Sequence, residues 1–137
     1  MSARGPSRPR GYECRAVLEM VPIAEVAAKR AQIEAQFFSA AERDELKSRH
    51  VQSVAGGLAL KRALCALFHQ RFAGFSFGPA HFMLRHDPDG APRIAGLPPP
   101  WPAVTTARRE RLFVSITHTK LEAAGLVVHQ QEREQPS

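Results

Sequence analysis

The chain has 137 residues, of which 44% are hydrophobic and 23% charged, and a net charge of +6. That suffices for one domain with a modest core, and it is small enough to favour oligomerisation. The positive balance favours an anionic partner, whether nucleic acid, a phosphorylated cofactor or an acidic protein, and no apolar run reads as the roughly 20 residues that span a bilayer.

Residues 1–11, MSARGPSRPRG, read as a disordered basic arm. No hydrophobic segment follows it as a secretory signal requires, so the expected location is cytoplasmic, with no membrane partner. The folded domain is expected over 12–129, with 130–137 as a frayed polar tail. Cys14 and Cys65 lack metal-ligand spacing and form no disulfide framework. Cys65, set in an apolar helix, reads as a small buried hydrophobe.

Tyr12 to Ile23 reads as a short strand that carries Glu19, a carboxylate expected on the solvent face. Pro22 closes it and can open a helix. Ala24–Phe38 is an amphipathic helix, with Val26, Ile33 and Phe37 inward and Lys29 and Arg30 toward water. Ser39 and Glu42 form a capping box that starts a further short helix, through about Ser48. Val51–Phe68 has the clearest helical periodicity in the chain. Its glycines, Gly56 and Gly57, each cost roughly 1 kcal/mol against Ala. They mark a close approach, by a neighbouring helix or by a ligand.

Phe75–Arg85 is a strand candidate broken by Gly78-Pro79, followed by a strong turn at His86–Gly90. Ala91–Ala95 returns as a strand. LPPPWP (97–102) is a stiff loop anchored by Trp101, and RRER (108–111) reads as a solvated face. Leu112–Thr117 alternates as a strand, His118–Lys120 interrupts it, and Ala123–Val128 resumes. Helices ahead of hairpin-linked strands predict an α+β domain with an antiparallel sheet.

Three features offer chemistry. His118 and Lys120, at a strand end, can bind a phosphate or move a proton, although a lone strand-end histidine is more often structural. The turn at Asp87–Ile94 and the Lys61-Arg62 pair in the apolar helix are the others. No phosphate loop, dinucleotide fingerprint, zinc spacing or nucleophile elbow is present.

In this order, VLEMV (17–21), FSAAE (38–42), AGGLALKRA (55–63), DPDGAP (87–92) and SITH (115–118) resemble the 4′-phosphopantetheinyl transferases of the short holo-acyl-carrier-protein synthase type. The resemblance covers about Val17 to Val128. It implies transfer of the phosphopantetheine arm of coenzyme A to a serine of an acyl or peptidyl carrier protein, in fatty acid biosynthesis, by a homotrimer. It places Lys61, Gly90, Pro92, Ser115, His118 and Lys120 at the cofactor, and Lys29 and Arg30 at the carrier. Glu19 and Arg62 stand at its catalytic positions.

At those two positions such enzymes hold magnesium with an aspartate and a glutamate. Glu19 retains a carboxylate one methylene longer; Arg62 reverses the charge. Mg²⁺ demands hard oxygen ligands and is repelled by a cation. Either Arg62 pairs with Glu19 or grips the pyrophosphate in part of the metal's place, or the chain is an impaired homologue that binds coenzyme A or a partner without transfer. A nucleic-acid binder is disfavoured, because the strands lack exposed aromatics interleaved for base stacking.

Overall fold

The computed structural model describes residues 11–99, 101 and 110–132. In chain order these build β1 (Tyr12–Pro22), α1 (Ile23–Ala28), α2 (Arg30–Phe37), α3 (Ala40–Leu46), α4 (Val51–Arg71), a 3₁₀ turn (Pro79–His81), β2 (Met83–His86), β3 (Pro92–Gly96), β4 (Glu110–His118) and β5 (Glu122–Glu132). The domain is α+β, as expected. One sheet has three strands in the order β1-β5-β4, the other pairs β2 with β3, and every pairing is antiparallel.

β1 and β5 pair along their full length, from Tyr12 opposite Glu132 to Pro22 opposite Glu122. The last strand therefore runs on through residues 130–132, where the sequence suggested a frayed tail; residues 1–10 and 133–137 lie outside the described residues. His129 is buried just before this extension because its Nε2 meets Glu110 Oε1 at 2.9 Å. Glu110 also accepts from Arg71 Nε at 2.7 Å. Of the expected solvated run 108–111, Glu110 is thus a core residue and Arg111 is exposed, while 108 and 109 are outside the described residues.

The expected helix 24–38 is two helices, parted at Lys29 (φ −130°, ψ 28°). No Gly or Pro marks the break. What stands there is Arg30, whose guanidinium donates to the carbonyls of Leu46 and Arg49 at 2.9 and 3.0 Å and to Glu34 at 2.8 Å. Tertiary hydrogen bonds override a strong local helix preference. The Ser39 capping box is present in both directions, with Ser39 Oγ accepting from the Glu42 amide and Glu42 Oε1 from the Ser39 amide. Most of Phe75–Arg85 is not strand. Pro79 opens a 3₁₀ turn, and Phe77 and Phe82 turn inward to join Phe68, Phe72 and Trp101 in an edge-on aromatic cluster.

α4 is the spine. It is long and apolar enough to cross a membrane by hydropathy, a length the sequence reading did not credit, but 72% of that window is buried inside this domain. Burial also pushes the Cys65 thiol up to about 11, in keeping with an inert core position. The glycine pair serves protein packing: Gly56 lies against Ile116 of β4 and Gly57 against the Phe38 ring. A third glycine matters more. A Cβ on Gly125 of β5 would run into the backbone of Ala59 and Leu60. Gly125→Ala is expected to lower stability by on the order of 3 kcal/mol, read as a fall in the urea midpoint; an unchanged midpoint would mean that α4 can lift off the sheet.

Candidate functional site

Ile116, Gly125 and Glu19 form one row across the three-stranded sheet. α4 passes along this row, over Ile116 at Gly56 and over Gly125 at Ala59 and Leu60. That advance is about 5 Å at 1.5 Å per residue, one strand spacing.

Glu19 shares the α4 side of β1 with Val17 and Val21, because side chains alternate along a strand. It is partly buried there, not on the outer face that its isolation suggested. Arg62 is exposed, and no ion pair joins it to Glu19; neither side chain has a polar partner among the described residues. The expected Glu19–Arg62 pair is therefore absent, and the guanidinium is left available to an outside anion.

Lys61, expected at a cofactor, is instead fully buried. Its ammonium donates to Glu42 Oε1 and to the Phe37 carbonyl, each at 2.8 Å, and lies 4.4 Å from the Phe38 ring centroid. Burial pushes its pKa down, and Glu42 beside it opposes the shift. The helical period decides this: Lys61 follows the buried run 54–60, while Arg62 is turned outward.

The second half of the site is a pocket of about 200 Å³ lined by Arg49, Gln52, Ser53, His86, Gly90, Pro92, Ile116 and His118. Gly90 sits at φ +90°, a turn conformation that suits glycine, and its amide donates to the Asp87 carbonyl at 2.8 Å. Three predicted residues, Gly90, Pro92 and His118, thus meet. Ser115 does not: it alternates with Ile116 and lies on the sheet face away from α4. Lys120 is exposed in the β4–β5 turn, outside the pocket lining. Of the two expected carrier-docking cations, Lys29 is exposed, whereas Arg30 is tied to backbone carbonyls and Glu34.

Sequence reasoning missed Arg49, Gln52, Ser53, His86 and Glu45. Glu45 of α3 accepts from the His86 backbone amide at 2.9 Å and from Arg85 Nε at 3.0 Å, and meets His86 Nδ1 at 2.6 Å. Burial raises its carboxyl pKa, but the hydrogen bonds from His86 and Arg85 outweigh that and hold it below the ordinary carboxylate value. No spacing rule could link residues 41 apart on separate elements.

The chain has the holo-acyl-carrier-protein synthase fold. It matches the apo synthase of Chronobacterium ammoniagenes with a TM-score of 0.71 at 19% identity, over 90% of this chain and 100% of that one. The coenzyme A complex of the same enzyme gives 0.70 at 20%, over 88% and 99%. The Helicobacter pylori synthase, also in complex with coenzyme A, gives 0.63 at 23%, over 84% and 99%. No protein-family model and no curated protein matches the sequence.

The magnesium that the resemblance implies does not fit these residues. Of the two metal positions that the resemblance implies, Glu19 offers one carboxylate and Arg62 a guanidinium, and no group of three His, Cys, Asp or Glu side chains gathers anywhere among the described residues. Lys61→Met, which strands Glu42 in the core, is expected to cost about 3–5 kcal/mol in urea unfolding. The pair Lys61→Met with Glu42→Gln should recover part of that loss; equal losses for single and double variants would mean that the ion pair is not what Lys61 supplies.

Proposed function

We propose that this protein is a 4′-phosphopantetheinyl transferase that moves the arm of coenzyme A onto the serine of a carrier protein. The observation that carries the reading is the pocket of Arg49, His86, Gly90, Pro92 and His118 on a fold shared with coenzyme A-bound synthases. In the reaction the carrier serine oxygen bonds to the β-phosphorus of coenzyme A. The bond to the bridging oxygen breaks, adenosine 3′,5′-bisphosphate leaves with the electron pair, and the serine hydroxyl proton passes to solvent. Fixed cations stabilise the charge that develops. The pocket takes the phosphorylated nucleotide end of coenzyme A, and the exposed Arg62 adds charge for the diphosphate without a metal ligand beside it. Lys120, on the turn beyond His118, adds charge at the rim, and Lys29 contributes to carrier docking. The setting proposed is cytoplasmic, in fatty acid biosynthesis.

A homotrimer is part of the proposal. The face of the three-stranded sheet opposite α4 exposes Leu18 (59%), Met20 (49%) and Phe113 (52%), an apolar patch that water does not favour. Glu19 stands at the β1 edge, while His118 stands at the β4 edge with β5 between them. A ring that sets the β1 edge of one copy beside the β4 edge of the next would join both halves of the site while covering the apolar face.

A second reading keeps coenzyme A binding without transfer, and the charge reversal at Arg62 favours it. Mass measurement of apo carrier proteins incubated with coenzyme A, with magnesium or with chelator, separates the two. The expected result is a mass-shifted carrier that persists in chelator, and loss of transfer in Arg62→Glu without magnesium. No shift on any carrier, alongside retained coenzyme A binding, would establish the binding-only reading. For the assembly, Leu18→Asp on the outer sheet face is expected to reduce the mass in light scattering from that of a trimer to that of a monomer. A wild-type protein that is monomeric at working concentration would remove the trimer.

A further inference from the structure

His86 is not held as an ordinary surface histidine would be. Its side chain is 12% exposed and lines the pocket, and its Nδ1 lies 2.6 Å from Glu45 Oε1. Glu45 is itself located without the imidazole, by the His86 amide and the Arg85 guanidinium. The carboxylate accepts hydrogen bonds only, so Nδ1 must be the protonated nitrogen, and any further proton goes to Nε2. Nε2 has no partner among the described residues.

This arrangement gives the ring two faces toward an anion. With protons on both nitrogens, Nε2–H is a charge-assisted donor. With one proton, that proton stays at Glu45 and Nε2 presents a lone pair that repels a phosphate oxygen. We propose that Glu45 and His86 form a proton-controlled grip for a phosphate group in this pocket, so that ligand binding tightens in mild acid and weakens as pH rises.

The proposal rests on the reading that the pocket takes a phosphorylated ligand such as coenzyme A. The charged groups around His86 are Glu45 of α3, Arg49 beyond it, Arg85 and Asp87 on either side in the chain, Arg93 of β3, and His118 of β4. Arg93 is paired with Asp87 at 3.2 Å and Arg85 with Glu45 at 3.0 Å. His118 is the other imidazole that lines this pocket, and its Nδ1 is 3.4 Å from the Thr119 carbonyl.

The test is calorimetric titration of the full chain with coenzyme A and, separately, with adenosine 3′,5′-bisphosphate, at about pH 6 and about pH 8, either side of the usual histidine range. The expected wild-type result is affinity about tenfold weaker at the higher pH, the scale of one charge-assisted hydrogen bond. His86→Gln should lose most of that difference, while His118→Gln should keep most of it. Glu45→Ala should weaken binding at the lower pH and leave the higher little changed, with the far-ultraviolet spectrum checking the fold of each variant. Binding that is equally tight at both values, or a full pH effect surviving in His86→Gln, would overturn the grip and leave the coenzyme A reading intact. Absence of binding to either ligand at both values would overturn the reading itself, and the grip with it.

Discussion

Both oxygens of Glu42 are committed to structure. One accepts from the Ser39 amide and the Lys61 ammonium, and the other from the Leu84 amide at 2.8 Å. Because the same ammonium also reaches the Phe37 carbonyl, one buried pair ties together the end of α2, the start of α3, the middle of α4 and the first residues of β2. Taking two charges out of water is costly, and the attraction repays it only where the remaining lone pairs and protons are also satisfied. Here they are. The β2–β3 hairpin, which carries His86, Gly90 and Pro92 to the pocket, is seated against α3 by Glu42 at the Leu84 amide and by Glu45 at Arg85 and His86.

This explains why α4 could be read for its fold and misread for its chemistry. Its apolar period and the capping box before it are local signals, and both hold in the structure. Whether Lys61 or Arg62 faces outward is a matter of 100° of rotation, and it turns on where the sheet lies. The same limit applies at Glu19. An isolated carboxylate in an apolar strand reads as solvent-facing, but on β1, an edge strand, Glu19 falls on the α4 side and is only partly buried there. Gly125 looked like one small residue among several in AAGLVV, yet it is the point of backbone-to-backbone contact.

The site itself was legible where it consists of one turn and one strand end. The turn at His86–Gly90 follows from turn chemistry and the strand that ends near His118 from alternation, while the placing of Gly90, Pro92 and His118 at a cofactor came from the resemblance. Arg49, Glu45 and His86 do not, because each lies on a separate element and has meaning only through the others. Ser115 shows the opposite limit: it lies three residues before His118, and an odd step along a strand places it on the far face. Likewise Arg30 has the look of a docking cation and the contacts of a clamp, holding carbonyls left open at the end of α3.

The pairing of β1 with β5 has a consequence for how the chain comes to be folded. These are the first and last elements described, and their register joins Tyr12 to Glu132. During synthesis β1 emerges with nothing to pair against, its apolar Val17–Val21 segment waiting until β5, about a hundred residues later, has been made. The central strand of the sheet is thus the last to leave the ribosome. Pairing of such high sequence separation is slow, because loop closure comes before any contact rewards it. Until then β1 and β4 have no strand between them to pair with, and the three-stranded sheet closes only once β5 has been made.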